Sequence, residues 1–131
     1  MWRFFVHVER FCFMASFQTQ NKEGYSVVTM LADRLDGQTT AELRSELVLL
    51  AGNSVSNMVL DLSRCTYCDT TGLSAIMIAH RLCKNGSLVL VGVNDEVSSI
   101  LSIQNFDPEL DMVTDLAEAE AHIAKSISKD K

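Results

Sequence analysis

Most features that would mark this 131-residue chain as a catalyst, a nucleic-acid binder or a membrane span are missing from it. It has one proline and four cysteines. Cys12, Cys65, Cys68 and Cys83 are too few and too unevenly spread for the disulfide framework of a secreted domain. No apolar run approaches the roughly 18 residues that a bilayer crossing requires, so membrane insertion is not expected. Lysine and arginine nowhere cluster, and the formal charge is −6. Nucleic acid and anionic membrane surfaces both demand a basic face, so neither is an expected partner. Neither G-x-x-x-x-G-K-[ST] nor G-x-G-x-x-G occurs, which removes the usual nucleotide sites. His7, His80 and His122 are scattered and fit no triad spelling. No catalytic residue and no cofactor are therefore expected.

Hydrophobic residues make up 47% of the sequence, enough for one folded domain of ordinary size. The stretch Met1 to Phe13 is apolar and aromatic, but Arg3, His7, Glu9 and Arg10 interrupt it. It is no secretory signal, and a reducing cytoplasmic setting is the expectation. Two readings of it stand open. Met14-Ala15-Ser16 resembles a second translation start, which makes residues 1–15 an extension outside the fold. Alternatively Trp2, Phe4, Val6 and Val8 alternate as in an added edge strand. The domain is expected over residues 16–127, with a frayed tail at 128–131.

From Phe17 the pattern is regular. Phe17 to Gln20 and Tyr25 to Ala32 flank Asn21-Lys22-Glu23-Gly24, the spelling of a hairpin with Gly24 in the turn. Thr39-Thr40-Ala41-Glu42 has the form of a capping box, and Leu43, Leu47, Leu50 and Ala51 follow at helical spacing. Gly52 is expected to close that helix in a left-handed conformation. Met58 to Leu62 is apolar on both faces except at Asp61, as in a central strand of a covered parallel sheet. A second helix runs from Thr70 or Thr71 to about Lys84 and is stopped by Asn85-Gly86. Ser87 to Val93 is another buried strand, after which Asn94 caps a short helix whose first turn holds Asp95 and Glu96. Pro108 breaks the chain before a short strand at Met112 and Val113, and Asp115 to Ile127 is a last helix. Strands alternating with helices predict an α/β fold. Its sheet is mostly parallel, of about five strands with an antiparallel N-terminal hairpin, and about four helices cover it.

Two constellations suggest metal or thiol chemistry. Cys65-x2-Cys68 and His80-x2-Cys83 supply three thiols and an imidazole on paper. However, His80 lies roughly 12 Å along a helix from Gly72 at about 1.5 Å per residue, too far for the pairs to converge on zinc. The C-x-x-C pair alone could be redox active, but Cys65 sits upstream of the helix start that would lower its pKa. Buried thiols acting as small hydrophobes are the simpler account.

The run Cys68-Asp69-Thr70-Thr71-Gly72-Leu73 carries the functional signal. It follows a buried strand and opens a helix, so two adjacent hydroxyls sit where free backbone N–H groups and the helix dipole favour negative charge. Asp69 has the form of an N-cap. One cap accounts for one hydroxyl, not for two before a glycine. A phosphate on such a hydroxyl would add about −1.5 to −2 charges beside Asp69 and displace contacts made over Leu73 and Met77.

At these residues the chain resembles the STAS-domain family, specifically its anti-sigma factor antagonists, whose D-S-S-G-L stretch opens a helix after a strand ending in D-L. Leu60-Asp61-Leu62-Ser63 and Asp69-Thr70-Thr71-Gly72-Leu73 match it, with threonine at both hydroxyls. Asp33-Arg34-Leu35-Asp36 is similar to the family's G-x-L-D element. Leu88 to Val93, with Val97, Ile100 and Leu101, is similar to its later strand and helix. The resemblance implies a STAS-like fold from about Phe17 to Ile127. It also implies a non-enzymatic role in partner switching, with an anti-sigma factor that is also a serine/threonine kinase as partner and a protein phosphatase as eraser. By position the phosphoacceptor would be Thr71, with Thr70 as the alternative. The partner face would comprise Asp36, Asp69, Thr70, Thr71, Gly72, Leu73 and Met77. A second role open to such domains is that of accessory subunit to a membrane transporter's ATPase. A thiol redox protein built on Cys65 and Cys68 is a third reading.

Overall fold

The computed structural model describes residues 10–13, 17–53, 55–84, 86–103 and 111–129. The strands are β1 (Arg10–Phe13), β2 (Phe17–Lys22), β3 (Tyr25–Met30), β4 (Arg34–Leu35), β5 (Met58–Asp61), β6 (Tyr67–Cys68), β7 (Leu88–Val91) and β8 (Asp111–Val113). The helices are α1 (Gly37–Gly52), α2 (Thr70–Leu82), α3 (Asp95–Ile103) and α4 (Leu116–Lys129). Six strands form one sheet in the order β1-β2-β3-β5-β7-β8. The pairs β1–β2 and β2–β3 are antiparallel, and every junction from β3 to β8 is parallel. The α/β architecture with an antiparallel N-terminal hairpin and four helices among the described residues is the one the sequence predicts.

The hairpin turns at Glu23-Gly24, where Gly24 has φ of 88°, a left-handed value that a residue with a side chain rarely adopts. β1 joins as an edge strand, Arg10 lying opposite Asn21 and Phe13 opposite Gln18. Residues 1–9 and 14–16 lie outside the described residues, as do Asn85, Pro108 and residues 130–131.

Period-two alternation divides the core in two. Val28, Met58, Leu60, Leu88 and Leu90 face α1, α2 and α3, where they meet Leu43, Leu47, Leu50, Ile76, Ala79 and Val97. Val27, Val59, Val89 and Val91 face the other way and pack on Ala119 and Ile123 of α4. Strands buried on both faces explain the nearly unbroken apolar runs at Met58–Leu60 and Leu88–Val91.

Three caps differ in detail from expectation. α1 is capped by Asp36, not Thr39. The Asp36 carboxylate accepts from Thr39 N–H at 3.4 Å while Thr39 Oγ1 accepts from Asp36 N–H at 2.9 Å. The helix therefore starts a turn earlier, and Thr39 occupies the position that a glutamate usually takes in a capping box. Gly52 stays helical, and Asn53 with φ of −98° ends α1 without a left-handed residue. α2 ends at Leu82 with Cys83 as its cap, before Asn85-Gly86. Asn94 caps α3 as its spelling predicts and Asp115 caps α4 in the same way, accepting from Val97 N–H and Glu118 N–H at 2.8 Å each.

Candidate functional site

The site lies where two loops leave the sheet to start α1 and α2. Residues 34–35 and 67–68 pair as a separate two-stranded parallel ladder, Arg34 opposite Tyr67 and Leu35 opposite Cys68. The Asp33 carbonyl accepts from Thr66 N–H at 2.8 Å, and the Leu35 carbonyl from Asp69 N–H at 3.3 Å. The ladder brings the caps Asp36 and Asp69 to the same end of the molecule. Beneath it Leu35, Cys65 and Cys68 are buried.

Asp69 is the hinge of the local chemistry. Its Oδ1 accepts from Gly72 N–H at 3.0 Å and from the Thr71 hydroxyl at 2.6 Å. The Thr71 hydroxyl and then the Gly72 N–H hold the Asp69 carboxyl below its usual range. Thr70 and Thr71 are exposed, and the Thr71 hydroxyl is open to solvent. Gly72 is buried for a packing reason. A Cβ there would stand 2.5 Å from the Leu35 carbonyl oxygen and 2.8 Å from Cys68 Sγ. Only a glycine lets α2 start this close to the ladder.

Among the predicted contact residues, Leu73 is 3% exposed and belongs to the core, so it cannot itself be touched by a partner. Met77, one turn further along α2, is 38% exposed and lies on the open side. Asp36 is half-buried, and Arg34 Nε approaches its Oδ2 at 3.6 Å. Sequence reasoning missed one feature. The Arg34 guanidinium lies 4.4 Å from the centroid of the Tyr67 ring, a cation–π contact at the mouth of the site. Strands of two residues carry no periodicity, so nothing in the spelling brings Arg34 and Tyr67 together.

The arrangement lacks the parts of a thiol or metal centre. Burial pushes the Cys65 thiol up, and it pushes the Cys68 and Cys83 thiols up to about 12. A redox nucleophile needs the opposite shift. Cys65 Sγ instead donates to the Tyr67 carbonyl at 3.2 Å, tying the loop from inside. Among the described residues no group of three or more His, Cys, Asp or Glu side chains is placed to hold a metal.

An open sheet of this order, with four helices among the described residues, has the architecture of a STAS domain. The family model described as "Mlab, STAS domain" matches residues 18–114, and the chain belongs to that family. Solved structures agree on the fold. SpoIIAA, the Bacillus cell fate determinant and anti-sigma factor antagonist, superposes in its unphosphorylated form with a TM-score of 0.72 at 16% identity, over 83% of this chain and 96% of that one. An anti-sigma factor antagonist from Mycobacterium paratuberculosis gives 0.72 at 18% identity, over 82% and 92% of the two chains. A sulfate transporter family protein from Wolinella succinogenes gives 0.68 at 17% identity, over 82% and 90%. No protein of curated function matches the chain in sequence.

Proposed function

We propose that this chain is an anti-sigma factor antagonist-like regulator, binding an anti-sigma factor kinase when Thr71 is unmodified and releasing it when Thr71 carries phosphate. The observation that carries the reading is the exposed Thr71 hydroxyl donating to the Asp69 cap at 2.6 Å. Phosphorylation replaces that donor with an anion of about −1.5 to −2 charges. The Asp69 carboxylate then loses a hydrogen bond and faces a like charge. A partner docked on Asp36, Thr70, Thr71 and Met77 meets a changed surface, while Gly72 and Leu73 hold the helix start beneath it. The chain is the kinase's substrate and a phosphatase's, not a catalyst, and its expected setting is the cytoplasm. No helix among the described residues is long and apolar enough to cross a membrane.

The test is a pull-down and affinity measurement on the full chain, its Thr71→Ala form and its Thr71→Glu form, against kinase-like proteins from the host. Thr71→Ala should keep the affinity and Thr71→Glu should lose at least tenfold, about 1.4 kcal/mol. Equal affinities refute the charge switch. Phosphate found on Thr70 in protein isolated from the host moves the site by one residue.

A second reading starts from a fold shared with transporter proteins, the Wolinella sulfate transporter family protein and SLC26A9, the latter at 11% identity over 82% of this chain and 21% of that one with a TM-score of 0.63. In that reading the domain is an accessory subunit of a transporter ATPase, and the hydroxyl pair is structural. Co-purification with an ATPase, unaffected by Thr71→Glu, would select it.

A further inference from the structure

At the far end of α2 from the threonines the surface carries an open pocket of about 600 Å3, inside the size range of small-molecule sites, with Arg81, Lys84 and Asp111 exposed along it. Its lining includes His80, Arg81 and Lys84 from the end of α2 and the following turn, Ser87 at the foot of β7, and Asp111 at the start of β8. Arg81 and Lys84 together at one pocket stand out on a chain with a formal charge of −6. Basic residues in a last turn ordinarily offset the helix dipole, and that role needs no cavity. Here they border one.

The floor is rigid. A Cβ on Gly86 would stand 2.1 Å from the Ser56 carbonyl oxygen, so the turn is pressed onto the neighbouring loop. Ser87 N–H donates to Asn57 Oδ1 at 3.0 Å, and the Ser87 hydroxyl pairs with that of Ser126. Asp111 brings an acceptor to the lining, its Oδ2 lying 3.0 Å from His122 Nε2. Cys83 lines the space as a neutral thiol, because burial keeps it protonated. The lining therefore combines basic side chains with a carboxylate and a hydroxyl.

We propose that this cavity binds a small phosphorylated polyol or sugar, with the phosphate on Arg81 and Lys84 and the ligand's hydroxyls on Asp111 and Ser87. Arginine and lysine give charge-assisted bonds to phosphate oxygens, whereas a carboxylate accepts from hydroxyls and repels a bare anion. This split selects a ligand carrying both groups over inorganic phosphate. The site lies about 15 Å along α2 from Thr71, counting 1.5 Å per residue to Arg81, and does not depend on the reading of that residue.

The experiment is an NMR amide titration of the full chain with glucose 6-phosphate, inorganic phosphate and glucose in separate arms. Glucose 6-phosphate should shift the amides of residues 80–88 and 111. It should bind at least tenfold more tightly than either fragment. The double variant Arg81→Gln/Lys84→Gln should lose that binding by at least tenfold, while Arg44→Gln, on exposed α1 surface, retains it. No shift with glucose 6-phosphate overturns the proposal. So do shifts confined to the Thr71 end of α2, equal affinity for inorganic phosphate, or unchanged binding by a folded double variant.

Discussion

At the scale of single residues, Asp69 does two things with one oxygen. It caps α2 through Gly72 N–H and receives the Thr71 hydroxyl. Asp69→Ala should lower stability by about 0.5–2 kcal/mol in urea titration, the usual worth of a cap. The sign of its pH dependence follows from the depressed carboxyl. The contribution is present above the unfolded-state pKa, about 3.9, and is lost as pH falls through the lower folded-state value. The stability gap between the wild type and Asp69→Ala should accordingly shrink in acid. Because the Thr71 hydroxyl is the largest cause of the depression, Thr71→Ala should move the Asp69 carboxyl back toward its ordinary value. Carboxyl-detected NMR titration reads this directly. An unmoved Asp69 would mean that the hydroxyl contributes nothing to the cap.

At the scale of elements, the ladder of β4 and β6 depends on α2 approaching it closely. Gly72→Ala should cost about 1–3 kcal/mol, as overpacking does, because the nearest obstacle is the Leu35 backbone carbonyl. Gly37→Ala is the contrasting case. Nothing lies within 4 Å of its Cβ position, so the helix should gain up to about 1 kcal/mol. Chemical denaturation of both variants checks the pair. The long elements were legible in the sequence because their patterns are long. Leucines at 43, 47 and 50 declare α1, and doubly buried β5 and β7 declare a covered parallel sheet. The D-T-T-G spelling also announced the cap at Asp69. What stayed illegible depends on tertiary context. The start of α1 moved to Asp36 because Thr39 can serve as the reciprocal acceptor. Leu73 belongs to the core because α2 turns that face onto the sheet. The Arg34–Tyr67 stack joins residues 33 positions apart through strands too short to show a period.

For the whole molecule, the sheet is flanked by β1 at one edge and β8 at the other. A chain starting at Met14 loses β1 and its four paired positions opposite β2. It should still fold around the core of β2 to β8, but with stability lower by about 1–4 kcal/mol, taking cross-strand pairs at their usual worth. A lower urea midpoint read by far-UV circular dichroism, which does not depend on the Trp2 that the shorter chain lacks, would report this; an unchanged midpoint would make residues 1–13 an appendage. The two faces are covered unequally. Three helices shield one, whereas among the described residues α4 supplies the cover of the valine face. During synthesis α4 is made after every strand it shelters. Translation that halts before Leu116 thus leaves Val27, Val59, Val89 and Val91 as a bare stripe, the kind of surface that chaperones hold and proteases clear. Cells making this protein therefore have a built-in mark separating finished copies from aborted ones.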